Sequence, residues 1–540
     1  MEKTVSQSQS PISLSQYTKA LLVNLTKIKP KTPPDETAKI SVSQTVSFFA
    51  LAYEKLRNAV EYRESHLIRR AAIERILKRR LALNPQGTGE GENVIRELLW
   101  ARYFPSDSLG IEDVVKVQSI IDKYLQIKTA LNTGQTGERK IYYAEFLYDL
   151  LSCEIEEILS PQESQTTALF TFYIFQVLKD KVKIENVAED QKNAFFYVTL
   201  EKSFNKSDLP YLRFHLFTLS FNQISETPKE AIKDLVAKLP EMLKKIDDLI
   251  QNPYSERLRR FVTKQIPPFN IFLELYKKQK NSVENIIENK QSLWTEVDQL
   301  CREKYAQTRT RLNNLAFKAI VYIFLTKMIF ALLLEYPLSL FFYNEINYSA
   351  LAINSLFPPA LMFFIIWFTK IPGEDNTKKL YERFVNIIDK DQSFEKSVSF
   401  IIRKPRVKRP TLVFVFTIFY SLTFIITFAL LYNILSFLHF NFISQAVFVF
   451  FVSIVSYFAY RIRQIAKEYQ LQDKESFFRP FIDFFFIPIL SVGKWLSNGI
   501  ASLNFFSFLF DFIIEAPFKL IIEVVEEWIS FVRGKKEEII

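Results

Sequence analysis

The chain has 540 residues, a formal net charge of +10 and only two cysteines, Cys153 and Cys301. That length exceeds what one hydrophobic core serves and implies two or three domains, and two cysteines exclude a disulfide framework and suit a reducing compartment. Three histidines, His66, His215 and His439, fall on different predicted elements and are too few and too far apart for a histidine-based metal centre, so no metal or other cofactor is expected.

The first residues, MEKTVSQSQSPISLSQ, are polar, with no basic stretch followed by an apolar one, so no cleavable signal peptide is expected. A short helix near Ser13 to Ile28 precedes the Pro-rich KPKTPPDE, and residues 1–36 read as a flexible segment and linker. Apolar residues then recur at three- and four-residue spacing, which predicts an all-helical domain over 37–227. Its helices are expected at about Thr37 to Leu83, Asn93 to Tyr103, Ile111 to Leu131, Lys140 to Leu159, Glu163 to Val182, Ala188 to Lys202 and Leu209 to Phe221.

Nothing in this front half carries a catalytic constellation. GTGEGE, Gly87 to Glu92, lacks a preceding buried strand and a following Lys-Ser or Lys-Thr, so it reads as a flexible loop between helices rather than a phosphate cradle. Glu154, Glu156 and Glu157 read as one charged helix face with no catalytic role. RRAAIERILKRRL, Arg69 to Leu81, is the densest basic helix, but its charges surround the axis and no aromatics interleave to stack bases. A solvated face or internal ion pairing is the better reading, and nucleic acid is disfavoured as a partner.

Residues 228–314 form a predicted juxtamembrane region. Ile232, Leu235, Leu239, Leu243, Ile246 and Ile250 mark one amphipathic helix, broken afterwards at Pro253 and at Ile266 to Pro268. From Phe269 to Tyr336 there is neither Pro nor Gly, so the expectation is a single helix of about 100 Å that runs from here into the first span as a stalk, the alternative being a break that packing rather than Pro creates. Val283, Ile286, Leu293, Val297 and Leu300 keep a seven-residue rhythm that fits a coiled coil or packing back on the same chain; Lys290 and Lys304 at core-type positions favour the second.

Four segments within 315–460 have the roughly 20 apolar residues a bilayer crossing needs: 315–334, 349–369, 411–431 and 442–460. Arg302, Lys304, Arg309 and Arg311 precede the first, IIRKPRVKRP lies between the second and third, and Arg461, Arg463 and Lys467 follow the fourth. Glu335 to Tyr348 and Asn433 to Asn441 hold no Lys or Arg, so the basic loops place both termini of a multi-pass protein in the cytoplasm. Arg403, Lys404, Arg406, Lys408 and Arg409 are also candidate contacts for anionic lipid headgroups.

Lys327 is the sharpest feature. It lies roughly 18 Å into a core about 30 Å thick, where a lysine should face protein or water, and it reads either as a snorkelling or structurally ion-paired side chain or as part of a pathway or gate. Asp483 and Asp511 are its candidate partners, with Glu335 taken as too distant along the same helix. Pro358 and Pro359, in mid-span, mark either a candidate hinge or a helix-packing notch. Residues 461–540 read as a re-entrant or interfacial region, because the uninterrupted apolar pieces of 479–514 run only about 10 to 12 residues, short of a crossing.

The sequence thus predicts an all-α, polytopic helical membrane protein with a large N-terminal cytosolic helical domain, not an enzyme. The first functional expectation is a membrane-anchored scaffold or assembly subunit whose helical front binds a cytosolic protein, or a homo-oligomer of it. The alternative is a channel or transporter subunit that uses Lys327.

Overall fold

The structure, a computed structural model, describes residues 11–35, 38–40, 42–57, 64–132, 137–344, 347–389, 400–402, 410–471, 479–501 and scattered positions between 521 and 536. Among these it is almost wholly α-helical, with one two-stranded sheet. The chain divides into two compact units. The first comprises 16–263, 399–402 and 505–540, and the second 1–15, 264–398 and 403–504.

The first unit contains α1 (Gln16–Thr26), α2 (Gln44–Arg57), α3 (Ser65–Leu83), α4 (Glu90–Trp100), α5 (Ile111–Asn132), α6 (Glu138–Leu159), α7 (Pro161–Leu178), β1 (Val182–Ile184), α8 (Glu189–Leu200), α9 (Leu209–Phe221) and α10 (Ile232–Ile250). Helix α6 is its axis, packed against α3, α5 and α9. It buries Phe146, Leu147, Leu150, Leu151, Cys153, Ile155 and Leu159, a set too wide for one face, because helices cover it from several sides. In α10 Leu235, Leu239, Leu243, Ile246 and Ile250 are buried in the rhythm read from the sequence. β1 pairs in parallel with β2 (Phe400–Ile402), Val182 opposite Phe400 and Ile184 opposite Ile402.

Of the two readings of the stretch from Phe269 to the first span, the unbroken helix gives way to the break made without Pro. Helix α11 (Ser255–Lys278), whose residues divide between the two units, runs through Pro267 and Pro268 and stops. A short α12 (Val283–Glu288) follows, and α13 (Lys290–Phe330) begins afresh. Asn289 makes the break without Pro or Gly: its side chain accepts hydrogen bonds from the Gln291 and Ser292 amides and caps α13. From Lys290 helix continues to Tyr343, 54 residues or about 80 Å, through a π turn at Ala331–Glu335 and α14 (Tyr336–Tyr343).

The seven-residue seam is filled from the same chain. Leu293, Val297 and Leu300 are buried, Trp294 meets Tyr381 of α16 (Glu374–Ile388) edge to face at 5.1 Å, and Lys304 pairs with Glu274 of α11 at 2.6 Å.

The second unit also holds α15 (Tyr348–Trp367), α17 (Pro410–Phe437), α18 (Phe442–Ile465) and α19 (Arg479–Ala501). Among the described residues, four helices are long and apolar enough to cross a membrane: Lys290–Tyr343, Tyr348–Trp367, Pro410–Phe437 and Phe442–Ile465. Asn347 and Asn441 cap α15 and α18, and Asn347 also donates to the His439 carbonyl at 3.1 Å, which brings the two turns together.

The stretch whose uninterrupted apolar pieces run only about 10 to 12 residues lies on one helix from Arg479 to Ala501, continuous through Pro488, with Phe486–Ser497 as its apolar part. It lies tight against α18: a Cβ added at Gly493 would sit 2.0 Å from the Ser453 carbonyl oxygen. Glycine lets the two backbones touch there.

Candidate functional site

Lys327 and Glu335 are the two charged residues that α13, the π turn and α14 enclose deep in the second unit. Lys327 is 0% exposed and Glu335 1%. The Lys327 ammonium donates to Glu335 Oε2 at 2.8 Å, so the expectation that Glu335 lies out of reach is corrected. On a regular α-helix eight residues advance about 800°, leaving the two side chains roughly 80° out of phase. The π turn takes up one residue more than an α turn and leaves about seven α steps, some 20° from alignment.

Pro337 explains why the turn is wide at this place. It has no amide hydrogen and stands at the start of α14, while the Tyr336 amide reaches back five residues to the Ala331 carbonyl. The helix thus carries Glu335 into the apolar unit, where the sequence had suggested the beginning of an outer loop.

Two more helices close the site. Asn354 of α15, 0% exposed, donates from Nδ2 to Glu335 Oε1 at 2.7 Å and to the Ser444 carbonyl of α18 at 3.1 Å. The Lys327 ammonium stands 5.1 Å from the centre of the Phe451 ring, also on α18, where the ring face favours a cation. Asn354 Oδ1 has no hydrogen-bond partner among the described residues. Asn354 had no signal in the sequence beyond being a polar residue in an apolar span.

The other candidates fall differently. Asp483 stands on α19, its side chain outside the described residues, and Asp511 lies outside them altogether, as do Arg403, Lys404, Arg406, Lys408 and Arg409. Pro358 and Pro359 are buried within α15, and the helix continues through both.

In the first unit the basic helix α3 is paired internally. Arg69 contacts Glu156 at 2.6 Å and Glu163 at 2.7 Å; Arg70 contacts Glu74 at 2.5 Å and Asp208 at 2.9 Å; Arg75 contacts Glu54 at 2.8 Å. Arg79 and Arg80 share Glu97, which is 0% exposed.

The reading of Glu154, Glu156 and Glu157 as a plain charged face is corrected with it. Glu154 and Glu156 are buried. Burial pushes the Glu154 carboxyl up from the ordinary range against hydrogen bonds from the Ser225 amide and the Tyr124 hydroxyl. It pushes Glu156 up against the attraction of Arg69 and a hydrogen bond from Tyr211.

His215 stands between Glu201, at 3.0 Å, and Glu157, at 3.3 Å. Burial alone would lower its pKa, but the two carboxylates outweigh that and push it up to about 10. Burial would likewise raise Glu201; the His215 charge, with hydrogen bonds from Asn205 and Ser207, overcomes it and holds the carboxyl down at about 2. These are structural ion pairs lining a helical core, and among the described residues no group of three or more His, Cys, Asp or Glu is placed to hold a metal ion.

The stretch from Gly87 to Glu92, whose second half is the first turn of α4, is packed rather than loose. Gln118 donates to the Gly87 carbonyl and accepts from the Gly91 amide, and a Cβ at Gly91 would meet the Gln118 backbone at 2.9 Å.

No protein-family model matches the chain, and no curated protein or solved structure matches it either.

Proposed function

We propose that this chain is a multi-pass membrane-anchored scaffold or assembly subunit. Its first unit binds a protein partner on the cytoplasmic side, and its apolar helices hold that unit at the bilayer. One observation carries the reading: the buried charges of the first apolar helix neutralise each other within that helix and are tied by Asn354 to two neighbours. A conduit must present such groups to water or solute by turns, and this pair is enclosed on every side.

The cytoplasmic placement of the first unit rests on the basic loops of the sequence. Residues 399–402, from the connection between the second and third apolar helices, belong to it. Ile529, from the C-terminal segment, packs with Val46, Ala50 and Trp100 there. A homo-oligomer is the second form such a scaffold can take.

The alternative, a channel or transporter subunit, is favoured by the π turn beside Lys327, since such turns gather at functional sites. The test is purification of the full-length chain from gently solubilised membranes, with cross-linking mass spectrometry. A stoichiometric protein cross-linked to residues 16–263 supports the scaffold. A chain recovered without a partner, together with solute flux in proteoliposomes that Lys327→Leu abolishes, overturns it.

A further inference from the structure

We infer that the polar cluster of Asn354, Lys327 and Glu335 binds one water molecule, held between three apolar helices. The inference is independent of what the first unit binds.

The orientation of the Asn354 amide is determined by its neighbours. Its Nδ2 faces two acceptors, the Glu335 carboxylate and the Ser444 carbonyl. Turning the amide over would set Oδ1 against both, so Oδ1 must point away from them. Asn354 is 0% exposed, and its Oδ1 has no donor among the described residues. An acceptor buried this way costs free energy unless a donor reaches it, and native interiors rarely leave one unmet.

The charge balance of the site decides the class of that donor. Lys327 and Glu335 already cancel, so a bound cation or anion would leave an uncompensated charge among apolar helices, which is far more costly than a neutral guest. The guest is therefore neutral, donates a hydrogen bond, and is small enough to sit beside a packed ion pair. Water meets all three requirements. It also needs an acceptor role, because buried waters make two to four hydrogen bonds. Lys327 supplies the donor: its ammonium has three N–H groups and gives one to Glu335. Water accepting from Lys327 and donating to Asn354 closes a ring through Glu335 and back to the Asn354 amide. Asn354 is then a positioning residue that orients both the carboxylate and the water.

The test is a single-particle map of the full-length protein in lipid nanodiscs, at a resolution that shows ordered water. Density of one water within hydrogen-bond distance of both Asn354 Oδ1 and Lys327 Nζ is expected. Well-resolved side chains with no density there, or density with the crowded oxygen shell of a cation, overturns the proposal. Infrared spectra in ordinary and ¹⁸O-labelled water give a second reading. A water band that shifts with the isotope is expected in the natural protein and lost in Asn354→Leu. The same band retained in a folded Asn354→Leu protein overturns the assignment. If that variant fails to fold, the map of the natural protein decides alone.

Discussion

Lys327 and Glu335 lie eight residues apart on one helix and meet at 2.8 Å because a single π turn, set by Pro337, rotates them onto the same face. The pair is fully enclosed, so its two halves are expected to depend on each other more than on anything else. Lys327→Leu or Glu335→Leu alone leaves one buried charge and should destabilise the protein by about 3–5 kcal/mol, whereas the double substitution should recover most of the loss. Thermal unfolding in detergent measures this, and additive losses in the double variant would refute the coupling.

Gly493 is expected to tolerate no side chain. Its backbone touches the Ser453 carbonyl, so Gly493→Ala should push α19 from α18 and cost about 1–3 kcal/mol, as overpacking does. Gly493→Val should be worse. An engineered disulfide between the two helices, formed readily in the natural background and poorly in Gly493→Val, would check the displacement. Equal yields would argue against close packing.

His215 gives the protein a pH dependence with a definite sign. Its folded pKa, about 10, lies above the ordinary 6.5, so the protonated ring is favoured by folding. That stabilisation is fully present below pH 6.5 and is lost as the pH rises towards 10. Glu201 behaves oppositely: held at about 2 against an ordinary 4.5, it loses its contribution as the pH falls from 4.5 to 2. The two belong to one coupled pair and are not to be summed. The natural protein should therefore unfold more easily at pH 10 than at pH 7, and His215→Gln should flatten that difference. A variant with the same slope as the natural chain would place the titration elsewhere.

Membrane orientation is open to cysteine labelling without removing the native thiols, because Cys153 and Cys301 are both buried. Asn344→Cys and Leu438→Cys, at exposed ends of α14 and α17, should react with an impermeant reagent from outside. Asp375→Cys, exposed on α16, should react only after permeabilisation. Asn344→Cys labelled from the cytoplasm would refute the topology.

Glu97 is expected to be a point of weakness in the first unit. It is fully buried and serves both Arg79 and Arg80, the second of which also contacts Glu90 at 3.5 Å, so Glu97→Ala removes the carboxylate the two guanidinium groups share and should cost on the order of 3 kcal/mol. Urea unfolding followed by hydrogen exchange in α3 and α4 would register it, and a loss under about 1 kcal/mol would mean that the arginines find other partners.

How much of this was legible beforehand differs by element. The four apolar helices were readable because insertion depends on the summed hydropathy of some 20 consecutive residues, a local property. Helix α10 was readable because one covered face leaves a clear spacing of three and four. Glu154 and Glu156 were misread because a carboxylate facing water and one facing Arg69 or Tyr124 across a core have the same local sequence. The choice between a continuous stalk and a break without Pro was not legible, because Asn289 breaks the helix by capping, a signal weaker than Pro or Gly.

The sequence by itself determined the helical class, the four apolar helices and the presence of Lys327 among lipid-grade residues, since composition and periodicity act through neighbours along the chain. Only the tertiary structure decided that Glu335 is the partner, that Asn354 completes the site and that α19 is one helix against α18. Those outcomes depend on helix phase across a π turn and on which backbones come close enough to touch, and both are relations between residues that sequence distance does not encode.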